Sequence, residues 1–302
     1  MQKSLLSWLF VFSLFVATIV DASAQAMAPG EIKLARVRGT TVTYKNKATQ
    51  QTVAAQNNAV ISQGYVINTG ADGSVVLVFS NGATINLKEG SELDIEAYLQ
   101  APLTAVFNPA TATEEPTASV TTLNLTRGEL IGNVKKLNKP KGSSFDVKTP
   151  VGAAGIRGTT FRIVYRPTGT GTASFSITIS EGSVELVTGT VTVPVAATAN
   201  GQAQEVVFDV QVNVVTGVAT ITTPAGAIFA SIASPTSNAA VVQGIQEVAQ
   251  VIANVLFVTP ATNPNPPAPN LPTPTPTPQQ PEPPPPPPIV PAPRTTNNEG
   301  NP

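Results

Sequence analysis

FDVKTPVGAAGIRGTTFRIVYRPTGTGTASFSITISEGSVELV, residues 145–187, decides the fold. Phe161, Ile163 and Tyr165 alternate with Arg162, Val164 and Arg166, and Phe175, Ile177 and Ile179 alternate with Ser174, Ser176, Thr178 and Ser180. A period of two gives each strand one apolar and one wet face. Between Thr149 and Thr160 stand Pro150, Gly152, Gly155 and Gly158, residues of sharp backbone bends. This pattern predicts that Gly158 takes a positive φ or lies too close to another strand for a Cβ. Arg157, bracketed by glycines, is expected to be buried with its guanidinium on backbone carbonyls.

Upstream, Lys33 to Leu99 reads as a β meander. Val75 to Phe79 is a continuous apolar run, as in a strand buried on both faces, whereas Thr84 to Leu87 and Leu93 to Ile95 alternate. Asn81-Gly82 between the first two is a hairpin signal. Residues 100–119, with Pro102, Pro109, Pro116 and the solubilising pair Glu114-Glu115, read as an exposed loop, and strands resume at Val120 to Leu125 and Glu129 to Val134. Val37 to Val42 echoes Ile156 to Phe161, which convergent turn chemistry explains more simply than duplication.

Downstream, Val206 to Val214 alternates and Val218 to Thr222 answers it after Thr216-Gly217, so residues 188–225 extend the core sheet. Within 238–258, Val241, Ile245, Val248, Ile252 and Val255 recur at helical spacing, with Asn238 as N-cap. Residues 259–302 are proline-rich and read as an extended or disordered tail. The fold class is therefore all-β: consecutive short strands in a meander or solenoid-like β-sandwich, plus one C-terminal amphipathic helix.

The chain has no histidine and no cysteine. Imidazole bases, thiol nucleophiles, disulfides and soft-metal sites are thereby excluded. Asp94 and Glu96 share a strand face without a third ligand, and residues 152–158 lack the Gly-Lys-Ser/Thr of a phosphate loop. No catalytic, cofactor or metal residue is assigned, and the chain reads as no enzyme. Its net charge of −1 gives no pull towards nucleic acid. Residues 1–26 read as a cleaved leader: Lys3, an apolar run from Leu5 to Val20 that is short for a membrane span, then Ala22-Ser23-Ala24 and Ala24-Gln25-Ala26. Export to the periplasm or cell surface is expected, with no integral membrane segment after cleavage.

Thr149-Pro150, Gly152-Ala153, Arg157-Gly158-Thr159, Phe161 and Glu181-Gly182-Ser183-Val184 resemble the core signature of the FecR-domain family. Residues 33–187 carry its earlier blocks in order: Gly39, Gly64 before Val66 to Thr69, Gly73 to Phe79, Asn81 to Leu87, and Leu123 to Leu130. The resemblance implies an extracytoplasmic protein-interaction module. The best-known members are periplasmic sensors that contact an outer-membrane receptor and control a sigma factor across the inner membrane. That arrangement needs a cytoplasmic domain and a transmembrane helix, neither of which is expected here, so only the binding domain carries over.

Between Arg127 and Arg166 nine basic residues face only Glu129 and Asp146. Lys135, Lys136, Lys139, Lys141, Arg162 and Arg166 form the candidate basic face, for an envelope protein or an anionic cell-wall component. A solvated loop and a wet strand face explain the same charges, and that reading stands ahead of the binding one. A structural envelope protein that displays its β domain on a proline-rich spacer is the alternative function.

Overall fold

The computed structural model describes residues 26–189 and 191–258. The expected leader apart from Ala26, and the proline-rich stretch 259–302, lie outside the described residues. The first strands are β1 (Ala28–Pro29), β2 (Ile32–Arg38), β3 (Thr43–Asn46), β4 (Thr52–Ala54), β5 (Val60–Ile61) and β6 (Tyr65–Asn68). Then follow β7 (Ser74–Phe79), β8 (Thr84–Leu87), β9 (Glu92–Gln100), β10 (Ser119–Asn133), β11 (Ser144–Thr149), β12 (Gly152–Pro167) and β13 (Thr172–Thr188). The chain continues through β14 (Val191–Ala196), β15 (Gln204–Val212), β16 (Ala219–Ile221) and β17 (Ser231–Ile232) to the helix α1 (Pro235–Ile252).

These strands make two sheets that share their longest members. One runs β4-β3-β6-β9, then the first half of β10, β11, the first half of β12, the second half of β13 and β14. The other runs β5-β2-β7-β8, then the second half of β10, the second half of β12, the first half of β13 and β15, edged by β16 and β17. Only β10 and β11 pair in parallel among these strands. The inner faces of both sheets meet in one core that includes Leu77, Phe79, Ile85, Leu123, Phe145, Phe161 and Phe175. The fold is thus all-β and a sandwich, but β10, β12 and β13 are 15, 16 and 17 residues long, not short.

Their length has a local cause. Each bends from one sheet into the other at a glycine of positive φ: Gly128 (98°), Gly158 (65°) and Gly182 (76°). Such bends are how a strand turns the corner of a sandwich. The ladder places Gly128 opposite Tyr165 and Asn133 opposite Thr160, so Gly128 turns at one end of the second sheet and Gly158 at the other. Gly182 packs against Gly158. The echo of Arg38-Gly39-Thr40 in Arg157-Gly158-Thr159 has the same physical origin, since the chain also crosses between sheets at Gly39, from β2 to β3 (φ 76°).

Val75 to Phe79 is buried on both faces because α1 lies over the outer side of the second sheet. Val75, Leu77 and Phe79 enter the main core, and Val76 and Val78 join Val248, Val255 and Phe257 in a smaller one. Thr84 and Asn86, expected to face water, are buried for the same reason. The helix begins at Pro235, not Asn238: Ser234 Oγ accepts the Ser237 N–H at 3.1 Å, and proline suits the first helical turn. It ends at Ile252, after which Phe257 pairs with Phe107 of the 101–118 loop.

Beside the β7–β8 hairpin turn lies a polar network. The Asn81 N–H and Ser80 Oγ meet Tyr98 Oη at 2.8 Å each, and Tyr98 Oη donates to Gln100 Oε1 at 2.9 Å. Burial pushes the Tyr98 phenol far up, against the opposite pull of its bonds from Ser80 and Asn81, so it stays a neutral donor. Glu115 is not a solubilising charge: it is buried, accepting from Ser119 Oγ at 2.7 Å and from the Asn138 N–H at 2.5 Å. Tyr98→Phe should cost about 2 kcal/mol in urea unfolding, because the buried Asn81 N–H loses its acceptor. An unchanged midpoint would show that water replaces the hydroxyl.

Candidate protein-binding face

Glu129 follows the corner at Gly128 and sits opposite Val164, so Arg162 and Arg166 are its diagonal neighbours on β12. Arg162 Nε donates to Glu129 Oε1 and Arg166 Nη2 to Oε2, both at 2.7 Å. The carboxylate is buried, at 8 % side-chain exposure, and the Arg166 side chain is 48 % exposed. One glutamate therefore fixes two guanidiniums, and Arg166 keeps donors turned to solvent. Arg166 also lines a cleft of about 300 Å3 with Arg127, Gly128, Glu89 and Gly90. There Arg127 is tethered to Glu92 at 3.1 Å, and Glu92 also accepts from Asn68 and Thr126.

The remaining members of the expected basic face lie elsewhere. Lys135 and Lys136 follow the far end of β10, beside Gly82 and Gly158 respectively. Lys136 is paired with Glu114 at 2.7 Å. Burial lowers the Lys135 ammonium's affinity for its proton, partly offset by Glu181. Lys139 and Lys141 are exposed in a 3-10 turn around Pro140. The six residues thus fall into two groups at opposite ends of the ladder, and adjacency in sequence does not bring them onto one face.

The signature residues build turns and corners. Thr149 Oγ1 bonds Gly152 O at 3.1 Å across the exposed Pro150, and a Cβ on Gly152 would lie 2.3 Å from Val187 O. Thr159 Oγ1 donates to Ser183 O at 2.9 Å, tying the two corners together, and Thr160 Oγ1 donates to Glu181 Oε2 at 3.2 Å. Phe161 is fully buried against Gly132. Gly158 takes the positive φ its sequence predicts, but Arg157 is not buried. Its side chain is 49 % exposed and pairs with an equally exposed Glu185 at 2.9 Å. Gly158 serves the strand crossing, and the arginine before it projects outward. Arg157→Ala should shift thermal stability by no more than about 0.5 kcal/mol; a larger loss would revive a structural role.

Sequence reading missed a second constellation, beneath α1. Glu247 accepts from Asn86 Nδ2 at 2.8 Å and Lys88 Nζ at 3.2 Å, with Arg36 Nη2 at 3.6 Å. Burial raises this carboxyl's pKa, but the bonds from Asn86 and Lys88 and the charges of Lys88 and Arg36 outweigh it, and the net pKa lies below the ordinary value. A depressed carboxylate stabilises above its unfolded pKa and loses that contribution as pH falls through the folded one. Acidification below the usual carboxylate range should therefore loosen α1, read as loss of the helical circular-dichroism band while the sheet signal persists. A helical band that fades only together with the sheet signal would contradict this.

Residues 65–185 match the family model described as FecR protein, and that stretch of the chain is a FecR domain. It begins at β6 and ends within β13, so it holds the corners at Gly128, Gly158 and Gly182 but neither β1–β5 nor α1. A crystal structure of an anti-sigma-factor candidate from Parabacteroides distasonis ATCC 8503 is similar over 52% of this chain and 58% of its own, at 14% identity and TM-score 0.34. This chain therefore spans a little over half of that relative. A second such structure from the same organism is similar over 61% and 70%, at 14% identity and TM-score 0.36. No curated protein matches. Among the described residues no helix is long and apolar enough to cross a membrane, and no cluster of acidic side chains is placed for a metal ion.

Proposed function

We propose that this chain is a non-enzymatic, extracytoplasmic FecR-type module that recognises a protein partner in the bacterial envelope. The observation that carries it is the FecR domain at residues 65–185. The leader-like start of the chain and the lack of histidine and cysteine support the same reading. Arg166 and Arg127, each anchored on one side by a carboxylate and open on the other, are suited to an acidic side chain of that partner. Affinity capture from an envelope fraction tests it: the mature chain should retain a protein that the Arg166→Glu variant does not. Failure of the folded wild-type chain to retain any protein above a scrambled-sequence control would refute it.

A second reading, a structural protein that displays its β domain on a spacer, is favoured by the proline-rich composition of residues 259–302. Deleting 260–302 separates the two. Lost surface display with unchanged capture supports the spacer as an addition, and retained display removes it.

A further inference from the structure

We propose that the outer face of the second sheet is a helix-docking groove, which α1 occupies in cis and which accepts in its place an amphipathic helix of a partner bearing one acidic residue. This rests on the binding-module reading and names the partner's chemistry.

The seat of α1 is shallow. Of its eighteen residues only Val241, Gly244 and Val248 are buried. The apolar cluster that seats it joins Val76 and Val78 of β7 to Val248 of α1 and to Val255 and Phe257 just after it, and is separate from the main core. The helix lies outside the FecR domain, over a face made from that domain's strands β8, β10, β12 and β13 with Val76 and Val78 of β7, and from β2 before it. It is reached through a segment of little regular structure, β16, β17 and one 3-10 turn between Val212 and Pro235, which is pinned to β15 and by Ile228 to the main core. Such an appended element with few buried contacts is drawn from the low-stability end of a fold.

The face itself specifies what fits. Arg36 and Lys88 converge on the single carboxylate of Glu247, so an occupant needs an acidic residue at that point. Gly244 lies so close to Ile131 that a Cβ there would be 2.4 Å from its Cδ1, so the occupant needs a small residue one turn earlier. Asn86 and Thr84 are buried under α1, yet Asn86 Oδ1 and Thr84 Oγ1 have no hydrogen-bond partner. α1 leaves these groups unsatisfied, and a helix with a side-chain donor at that level would satisfy them better.

The test uses the full chain and a fluorescein-labelled peptide of residues 234–258. In the variant Gly244→Leu/Glu247→Arg, α1 should leave the groove through the clash with Ile131 and the charge opposite Arg36 and Lys88. Anisotropy should then show the peptide binding the variant at least tenfold tighter than wild type, and a peptide carrying Glu247→Arg should not bind. Absence of saturable binding to a variant that keeps its sheet signal and cooperative melt overturns the groove. So does equal binding to variant and wild type. If the variant does not fold, hydrogen exchange on the wild-type chain decides: α1 amides should open before those of β7, β8 and β10, and exchange only through global unfolding overturns the proposal. Retention of an envelope partner by the folded variant while the peptide fails would reject the groove and leave the binding-module reading intact.

Discussion

Gly182→Val should destabilise the FecR domain by about 4 kcal/mol or more. Gly182 has a φ of 76°, a conformation that is a genuine outlier for a β-branched residue. That strain alone is worth about 1–2 kcal/mol. A Cβ there would also lie 2.3 Å from Gly158 O and 3.1 Å from the Thr159 Cα, both backbone atoms of the neighbouring corner. Backbone cannot rotate away as a side chain can, so the two corners must separate and the bond from Thr159 Oγ1 to Ser183 O goes with them. Gly64 is the control: its φ is 82° but nothing lies within 4 Å of its Cβ position. Gly64→Val should therefore carry the strain without the clash. At roughly 2–4 °C per kcal/mol for a domain of this size, the two melting temperatures should be well separated. Coincident melts would show that close approach of the corners is not what Gly182 secures.

The sheet content and the corners were legible because both rest on local chemistry. Alternation from Phe161 to Arg166 and from Ser174 to Ser180 states which side faces the core, and glycine is the residue that tolerates a positive φ at a crossing. Long-range pairing was not legible. Nothing in Val75 to Phe79 says what covers its second face; the answer, α1, stands more than 150 residues later. The helix start was missed because Pro235 to Ala240 contains no large apolar residue, so the helical period becomes visible only at Val241. The error at Arg157 came from reading its flanking glycines as accommodation for the arginine, when Gly158 provides the positive φ of the strand crossing and lies against the Lys136 backbone. The basic run misled for a related reason. Lys135 and Lys136 lie past the far end of β10, whereas Arg162 and Arg166 reach back along β12 to a glutamate 33 and 37 residues before them, so one charged stretch of sequence is divided between two ends of a ladder.

That meeting makes Glu129→Ala the second large effect. The wild-type carboxylate is buried and accepts two charge-assisted bonds, and its backbone N–H donates to Ser91 Oγ at 2.9 Å, which holds the rung in place. Removing the carboxylate strands the Arg162 guanidinium, whose side chain is only 16 % exposed, beneath the outer face without a counter-charge. Breaking a buried pair from one side costs about 3–5 kcal/mol. Arg166 reaches solvent and can rehydrate, which lowers the expected loss here to about 2–4 kcal/mol. Because the cost arises from the abandoned arginine more than from the lost attraction, Glu129→Ala/Arg162→Ala should be more stable than Glu129→Ala alone. The double-mutant cycle should return a coupling of about 2 kcal/mol. A coupling near zero, measured by chemical denaturation, would mean that Arg162 finds water without Glu129. The glutamate would then serve to orient Arg166 at the cleft, and its replacement should appear in partner affinity and not in the melt.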